Sequence, residues 1–201
     1  METKGEQTRQ AILTAAISRF GRDGYRATSV ADIARDAAVG GTVAYAYFPN
    51  KEALFLAAID EDAAAVIHDG LSSVMDEPAI NIDDWRQTLI FTLVGAVEGH
   101  PLARRVLAGL EPEVTERVLE IPALAELRKA CAERIRAEQL AGTVRTDIDP
   151  LVIGNGIVSI MLSLLMSIVQ VGPGAAVAYG PDVAAVFQAA LDRTPPGRSR
   201  P

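Results

Sequence analysis

The stretch Thr28 to Lys51, TSVADIARDAAVGGTVAYAYFPNK, constrains the fold more than any other part of the chain. Thr28 or Ser29 can N-cap a helix, and Ser29 with Asp32 three residues on approximates the reciprocal pattern that satisfies free helix amides. Val30, Ile33, Ala34 and Ala37 then recur at the spacing of one helical face. Ala38-Val39-Gly40-Gly41 interrupts that pattern, with glycines able to take a tight or left-handed turn, and Thr42 to Tyr47 reads as a short second helix. Pro49 ends it, and Asn50 is suited to cap a long helix opening at Lys51. The grammar is helix, turn, helix, stop, helix.

Around this stretch the periodicity is helical throughout. Residues 6–22 set Ile12, Ala15, Ala16, Arg19 and Phe20 near one face, and Gly24 ends that helix. From Lys51 to about Met75, Leu54, Phe55, Ala58, Ile59, Val66, Ile67, Leu71 and Val74 supply an apolar side. Pro78 and Asn81 mark a loop. Asp83 or Asp84 caps a helix through Val97, and His100-Pro101 starts a short one reaching about Leu110. Breaks at Pro112 and Pro122 precede a helix from about Ala123 to Leu140, which Gly142 stops. Asp149-Pro150 caps the apolar run Leu151 to Val171; Gly172-Pro173-Gly174 follows, then a last helix from about Asp182 to Asp192. No segment alternates apolar and polar residues at period two, so the chain reads as all-α, with a disordered tail at 195–201.

The run Leu151 to Val171 is uncharged and long enough to span a bilayer. It contains Gly154, Asn155, Gly156, three serines and Gln170, and no Lys or Arg closely flanks either end, which favours a buried helix over a membrane anchor. Asn155, Ser159, Ser163 and Ser167 recur every four residues as a small, weakly polar stripe, suited to close approach of another helix or to lining a cavity.

Net charge is −7 for the 201 residues, which alone argues against nucleic acid. Its distribution reverses that. Residues 1–51 hold seven basic side chains (Lys4, Arg9, Arg19, Arg22, Arg26, Arg35, Lys51) against five acidic (Glu2, Glu6, Asp23, Asp32, Asp36), so the acidity belongs to the rest. A basic head on an acidic body suits a phosphate backbone. Cys131 is the single cysteine and can form no internal disulfide, and the first residues carry no secretory pattern, so a cytoplasmic location is expected. No Gly-rich phosphate loop, nucleophile elbow or metal-ligand spacing is present, and His68 and His100 lie far apart, so neither enzyme chemistry nor a metal or other cofactor is expected.

Ala16, Phe20, Gly24-Tyr25, Thr28-Ser29-Val30, Ile33-Ala34, Val39, Tyr45-x-Tyr47-Phe48 and Lys51-Glu52-x-Leu54 together resemble the tetracycline-repressor (TetR) family of bacterial transcription regulators, over roughly residues 8 to 59. The resemblance implies a three-helix DNA-binding head at 1–51 and a helical effector-binding and dimerisation body at 52–194. It implies a homodimer on an operator, a small-molecule effector and no membrane. Arg26, Thr28, Ser29, Gly40, Gly41, Thr42, Tyr45, Tyr47 and Lys51 are the candidate DNA contacts. Gly40, Gly41 and Val43 depart from the larger or hydroxylated residues common there, leaving two readings: close backbone approach to DNA, or glycines that only turn the chain. Candidate pocket residues are His68, expected on one face with Ala64, Leu71 and Met75 that can point inward, together with Trp85, Asn155 and Met161. Each has a plain alternative as a core or surface residue. Ser159, Ser163, Ser167, Val183, Val186 and Phe187 are candidate dimer contacts. An activator, an effector-independent regulator, or a helical ligand-binding or membrane-attached protein that kept the head as scaffold remain alternatives.

Overall fold

The computed structural model describes residues 3–75, 81–114, 118 and 120–192, and among them every regular element is helical. In chain order these are α1 (Lys4–Ala27), α2 (Val30–Asp36), α3 (Gly41–Tyr47), α4 (Lys51–Met75), α5 (Ile82–Gly99), α6 (Pro101–Leu107), a 3-10 turn at Pro112–Val114, α7 (Pro122–Ala141), α8 (Pro150–Val171) and α9 (Gly174–Leu191). The Pro78 loop and the tail beyond Asp192 lie outside the described residues, as does the side chain of Val74.

Caps fix most boundaries. Thr3 and Glu6 form a reciprocal capping box at the start of α1. Ser29 Oγ accepts the Asp32 amide at 3.1 Å, and Asn50 Oδ1 accepts the Ala53 amide at 2.7 Å. Asp149 caps α8 by accepting the Leu151 amide at 2.7 Å, and Gly142 closes α7 at φ +75°. Asn81, rather than Asp83 or Asp84, caps α5: its Oδ1 accepts both aspartate amides, at 3.0 and 2.9 Å. The short α6 ends at Leu107, before Leu110. The last helix begins at Gly174, eight residues before the expected start, and runs through Pro181. An Ala-rich segment of high helix propensity, anchored by buried Ala175, outweighs the one amide that Pro181 lacks.

Ile12, Leu13, Ala16 and Phe20 of α1 pack with Val30, Ile33 and Ala34 of α2, Ala44 of α3, and Leu54, Phe55 and Ala58 of α4 in one continuous core. The Phe55 ring stacks edge-on against Phe20 at 4.8 Å. This core continues along α4 through Ile59, Val66 and Ile67 into α5, α6, α7 and α8. α1 bends at Gly24, where φ is +82° and an added Cβ would sit 2.5 Å from the Arg105 guanidinium. Behind that bend, buried Glu111 accepts both the Tyr25 amide at 3.2 Å and Arg105 Nε at 2.5 Å. The three-helix head is therefore held by α6 and the chain after it as well as by α4.

By length and composition α8 could cross a membrane, and a third of its apolar window is buried inside the fold. Gly154 lets it approach α7 so closely that an added Cβ would lie 3.1 Å from the Ala132 amide. Ile157, Val158, Met161 and Leu165 are buried. The stripe faces elsewhere. Ser159, Ser163 and Ser167 each donate a hydrogen bond to the carbonyl four residues back at 2.9 Å, so these three hydroxyls are satisfied within the helix.

Candidate nucleic-acid interface

α3 is seven residues long and hides one of them, Ala44. Ala44 is small enough to bring this short helix against α1 and α2, and its burial turns Gly41, Thr42, Val43, Tyr45 and Ala46 outward. Gly40 is the N-cap at φ −71°, ψ 146°, a conformation open to any residue. The left-handed residue of the turn is Ala38, at φ +54°. The expectation that the glycines supply the left-handed turn is therefore corrected. Nothing lies within 4 Å of a Cβ built at Gly41, and at Gly40 only Val43 Cγ2 comes near, at 3.9 Å. Neither backbone conformation nor internal packing requires glycine at these positions.

The candidate phosphate contacts divide. Thr28 is buried and its hydroxyl donates to the Gly24 carbonyl at 2.8 Å, so its side chain is spent on the α1–α2 corner and turned away from any ligand. Ser29 is exposed, but its oxygen caps α2 and its hydroxyl donates to Asp32 at 2.6 Å. Arg26 is exposed and ion-paired with Glu113 at 2.6 Å. Arg19 forks onto Asp36 at 2.6 and 2.9 Å, Arg22 pairs with Asp23 at 2.8 Å, and Arg35 with Asp32 at 3.0 Å. These contacts raise the Arg19 and Arg22 guanidinium values and hold the Asp23, Asp32 and Asp36 carboxyls below their usual range; for Asp32 the Ser29 hydroxyl is the largest cause.

Two head cations sit differently. Lys51 Nζ lies 4.3 Å from the Tyr25 ring centroid, and the Arg9 guanidinium lies 5.3 Å from that of Phe48. A ring face leaves an ammonium's donors free to turn to a phosphate, whereas a carboxylate partner must first be displaced. Arg9 was not among the residues singled out from the sequence; its place on α1, at the edge of Phe48, emerges only from the fold. Tyr45 is half-exposed, and Tyr47 is packed partly into the core.

Among the described residues the body encloses a cavity and a cleft. One is lined by aliphatic residues of α4 to α8, among them Ile59, Val66, Leu93, Leu127 and Met161. The other is a cleft of about 560 Å³ between α5, α8 and α9. Met161 borders both. The other pocket candidates do not reach either one. Trp85 is buried core that lines neither cavity, and Asn155 lies exposed on the serine stripe. His68 is exposed beside exposed Ala64, because the buried face of α4 there is carried by Val66, Ile67 and Gly70. The histidine built into the fold is His100. Of the expected dimer contacts, Ser159, Ser163 and Val186 are exposed and Ser167 and Val183 part-buried; Phe187 is instead buried beneath the Arg86 guanidinium, 4.8 Å from its ring centroid. Among the described residues no group of three or more His, Cys, Asp or Glu could hold a metal ion.

A short exposed helix presented by a helix-turn-helix, on a helical body, defines the class of helix-turn-helix DNA-binding transcription regulators. Residues 12–58 match the model of the bacterial regulatory proteins of the tetR family, which covers this head. The whole chain shares its fold with solved proteins of that description. One is a TetR-family transcriptional regulator from Mesorhizobium loti MAFF303099, with a TM-score of 0.72 and 21% identity, covering 96% of this chain and 100% of that one. FadR of Thermus thermophilus, a TetR-family repressor solved with lauroyl-CoA, gives 0.65 and 20%, covering 96% and 100%. The fatty acid degradation regulator FadR of Bacillus halodurans gives 0.67 and 18%, covering 93% and 96%. No curated protein matches the sequence at a significant level.

Proposed function

We propose that the protein is a homodimeric repressor that leaves its operator when a small molecule enters the body. The observation that carries the reading is α3: one buried alanine, five outward residues and a reading edge stripped of side chains at Gly40 and Gly41. In the major groove such a helix brings its backbone close to base edges, with Thr42 able to meet a thymine methyl or donate a hydrogen bond. Tyr45, Tyr47, Lys51 and Arg9 hold phosphates, and Arg26 joins them by giving up Glu113. Residues 1–51 act as the head and 52–194 as the body. The exposed serine stripe of α8 and the outer face of α9, with Val186, form the dimer seam, which would cover the apolar surface that α8 leaves open.

Release is linkage. A ligand that prefers the arrangement with badly spaced heads weakens DNA binding by its differential affinity for the two states. α4 runs from the phosphate side to the body, and the Gly24–Arg105–Glu111 junction gives the body a second hold on the head. The FadR of Thermus thermophilus, with lauroyl-CoA bound, is a precedent for such a body taking a small molecule. A gel-shift with the DNA upstream of the protein's own gene tests the reading: a discrete complex that survives competitor DNA supports it, and binding no better than to random DNA contradicts it.

A further inference from the structure

Among the described residues Arg86 is the one charged side chain lining a mostly apolar cleft, with Gln87 beside it. It is only 8% exposed, on the first turns of α5, and it lines the space between α5, α8 and α9. Its Nη1 lies 3.1 Å from Asp83 but out of line, so this buried nitrogen makes no hydrogen bond. Burial accordingly holds the guanidinium below its ordinary value despite Asp83, although an arginine stays charged. The Phe187 ring covers one side of it. Among the described residues no acidic side chain lines the cleft. A buried cation with an unmet donor, facing a space with no anion of its own, costs stability unless something supplies the missing acceptor.

The remaining walls say what else that something carries. Ile90 and Val94 follow Arg86 along α5, Leu164 and Ile168 come from α8, and Val177 from α9. From Arg86 to Val94 the α5 wall extends about 12 Å at a helical rise of ~1.5 Å per residue. The volume, about 560 Å³, is within the usual range for small-molecule sites. We propose that this cleft binds a medium-chain aliphatic carboxylate, its head group hydrogen-bonded to Arg86 and its tail laid along Ile90, Val94, Leu164 and Ile168. A carboxylate completes the guanidinium's donor set in the bidentate geometry that Arg favours, and the tail replaces water on apolar walls. The site deepens the effector reading above by giving it a place and a ligand class, and it rests on that reading only for the consequence on DNA.

The test titrates the full-length protein, without DNA, by calorimetry with decanoate and with decyltrimethylammonium, which has the same tail and the opposite charge, both below their micelle concentrations. Decanoate is expected to bind saturably, at about one per chain, and at least about tenfold more tightly than the cation. Arg86→Gln should cost decanoate about tenfold or more, and Arg86→Lys less. Gly180 lines the cleft and an added Cβ there meets nothing within 4 Å, so Gly180→Phe should fill the cleft and abolish binding in a folded protein. No saturable decanoate binding, equal binding of both head groups, or affinity unchanged in Gly180→Phe overturns the site; if Arg86→Gln fails to fold, the head-group comparison and Gly180→Phe decide it. The same decanoate is then added to the operator complex. Binding at Arg86 that leaves DNA bound keeps the site and overturns release by this ligand.

Discussion

The Asp62 carboxylate, almost wholly buried in α4, meets His100 Nδ1 at 2.8 Å and accepts the Ala103 amide at 2.7 Å. An ionised carboxylate can only accept, so Nδ1 donates in this contact, while Nε2 lies 3.5 Å from Asp69 Oδ2. The pair ties the middle of the helix that leaves the head to the N-terminus of α6, where free amides and the helix dipole also favour the negative charge. Asp62→Leu should therefore destabilise the protein by about 1–3 kcal/mol, since the part-buried Ala103 amide and the imidazole Nδ1 both lose this acceptor. Urea unfolding measures this; a loss below about 0.5 kcal/mol would show that the contact contributes little to holding α6 on α4.

Gly41→Ala distinguishes close approach from a mere turn. With an ordinary φ at the neighbouring cap and open space at Gly41, the alanine should fold normally and raise head stability by up to about 1 kcal/mol. Specific DNA affinity should fall while nonspecific affinity stays, because the methyl occupies room that the backbone uses at the base edges. Specific affinity that holds or rises would mean that the glycines do not serve DNA.

Ser163→Arg tests the dimer seam. Ser163 is exposed, and its hydroxyl is satisfied within α8, so the substitution leaves the protomer intact. A close helix contact would then receive a buried charge without a partner. Analytical ultracentrifugation should show a shift to monomer at concentrations where the parent is dimeric; a persistent dimer would move the interface off this stripe.

Lys51→Ala should weaken binding to all DNA sequences alike and make the dependence of log affinity on log salt shallower by about one unit, as loss of one phosphate contact does. An unchanged slope would leave Lys51 a partner of the Tyr25 ring alone.

What the sequence made legible was local. Ser29, Asn50, Asp149 and Gly142 act on amides or carbonyls within a few residues, so a window of one turn contains both partners. The α3 motif was readable for the same reason, down to the unusual glycines. Contacts set by packing were not. His100 reaches Asp62 across 38 positions, and Tyr25 reaches Glu111 across 86. His68 was expected inside because helical spacing aligns it with Leu71; which side of α4 turns inward there is decided by where α5 lies, and Gly70 marks that side by its fit against Leu93. Thr28 was read as a phosphate neighbour because a hydroxyl at a helix start can serve either role, and only the bend at Gly24 shows that its own backbone takes it. Arg86 had no local signal at all: its burial depends on Phe187, about a hundred positions away.

The most direct test of the central claim is sequencing the genomic fragments that the full-length protein retains, compared with a Gly41→Ala, Lys51→Ala double variant shown by circular dichroism to be folded. The parent is expected to enrich a small set of sites sharing a two-fold-related motif, with half-sites about one or two helical turns apart as a dimer requires, and the double variant to lose them. Retained DNA that shares no motif, or sites unchanged in the double variant, would contradict the claim that this chain reads an operator through α3.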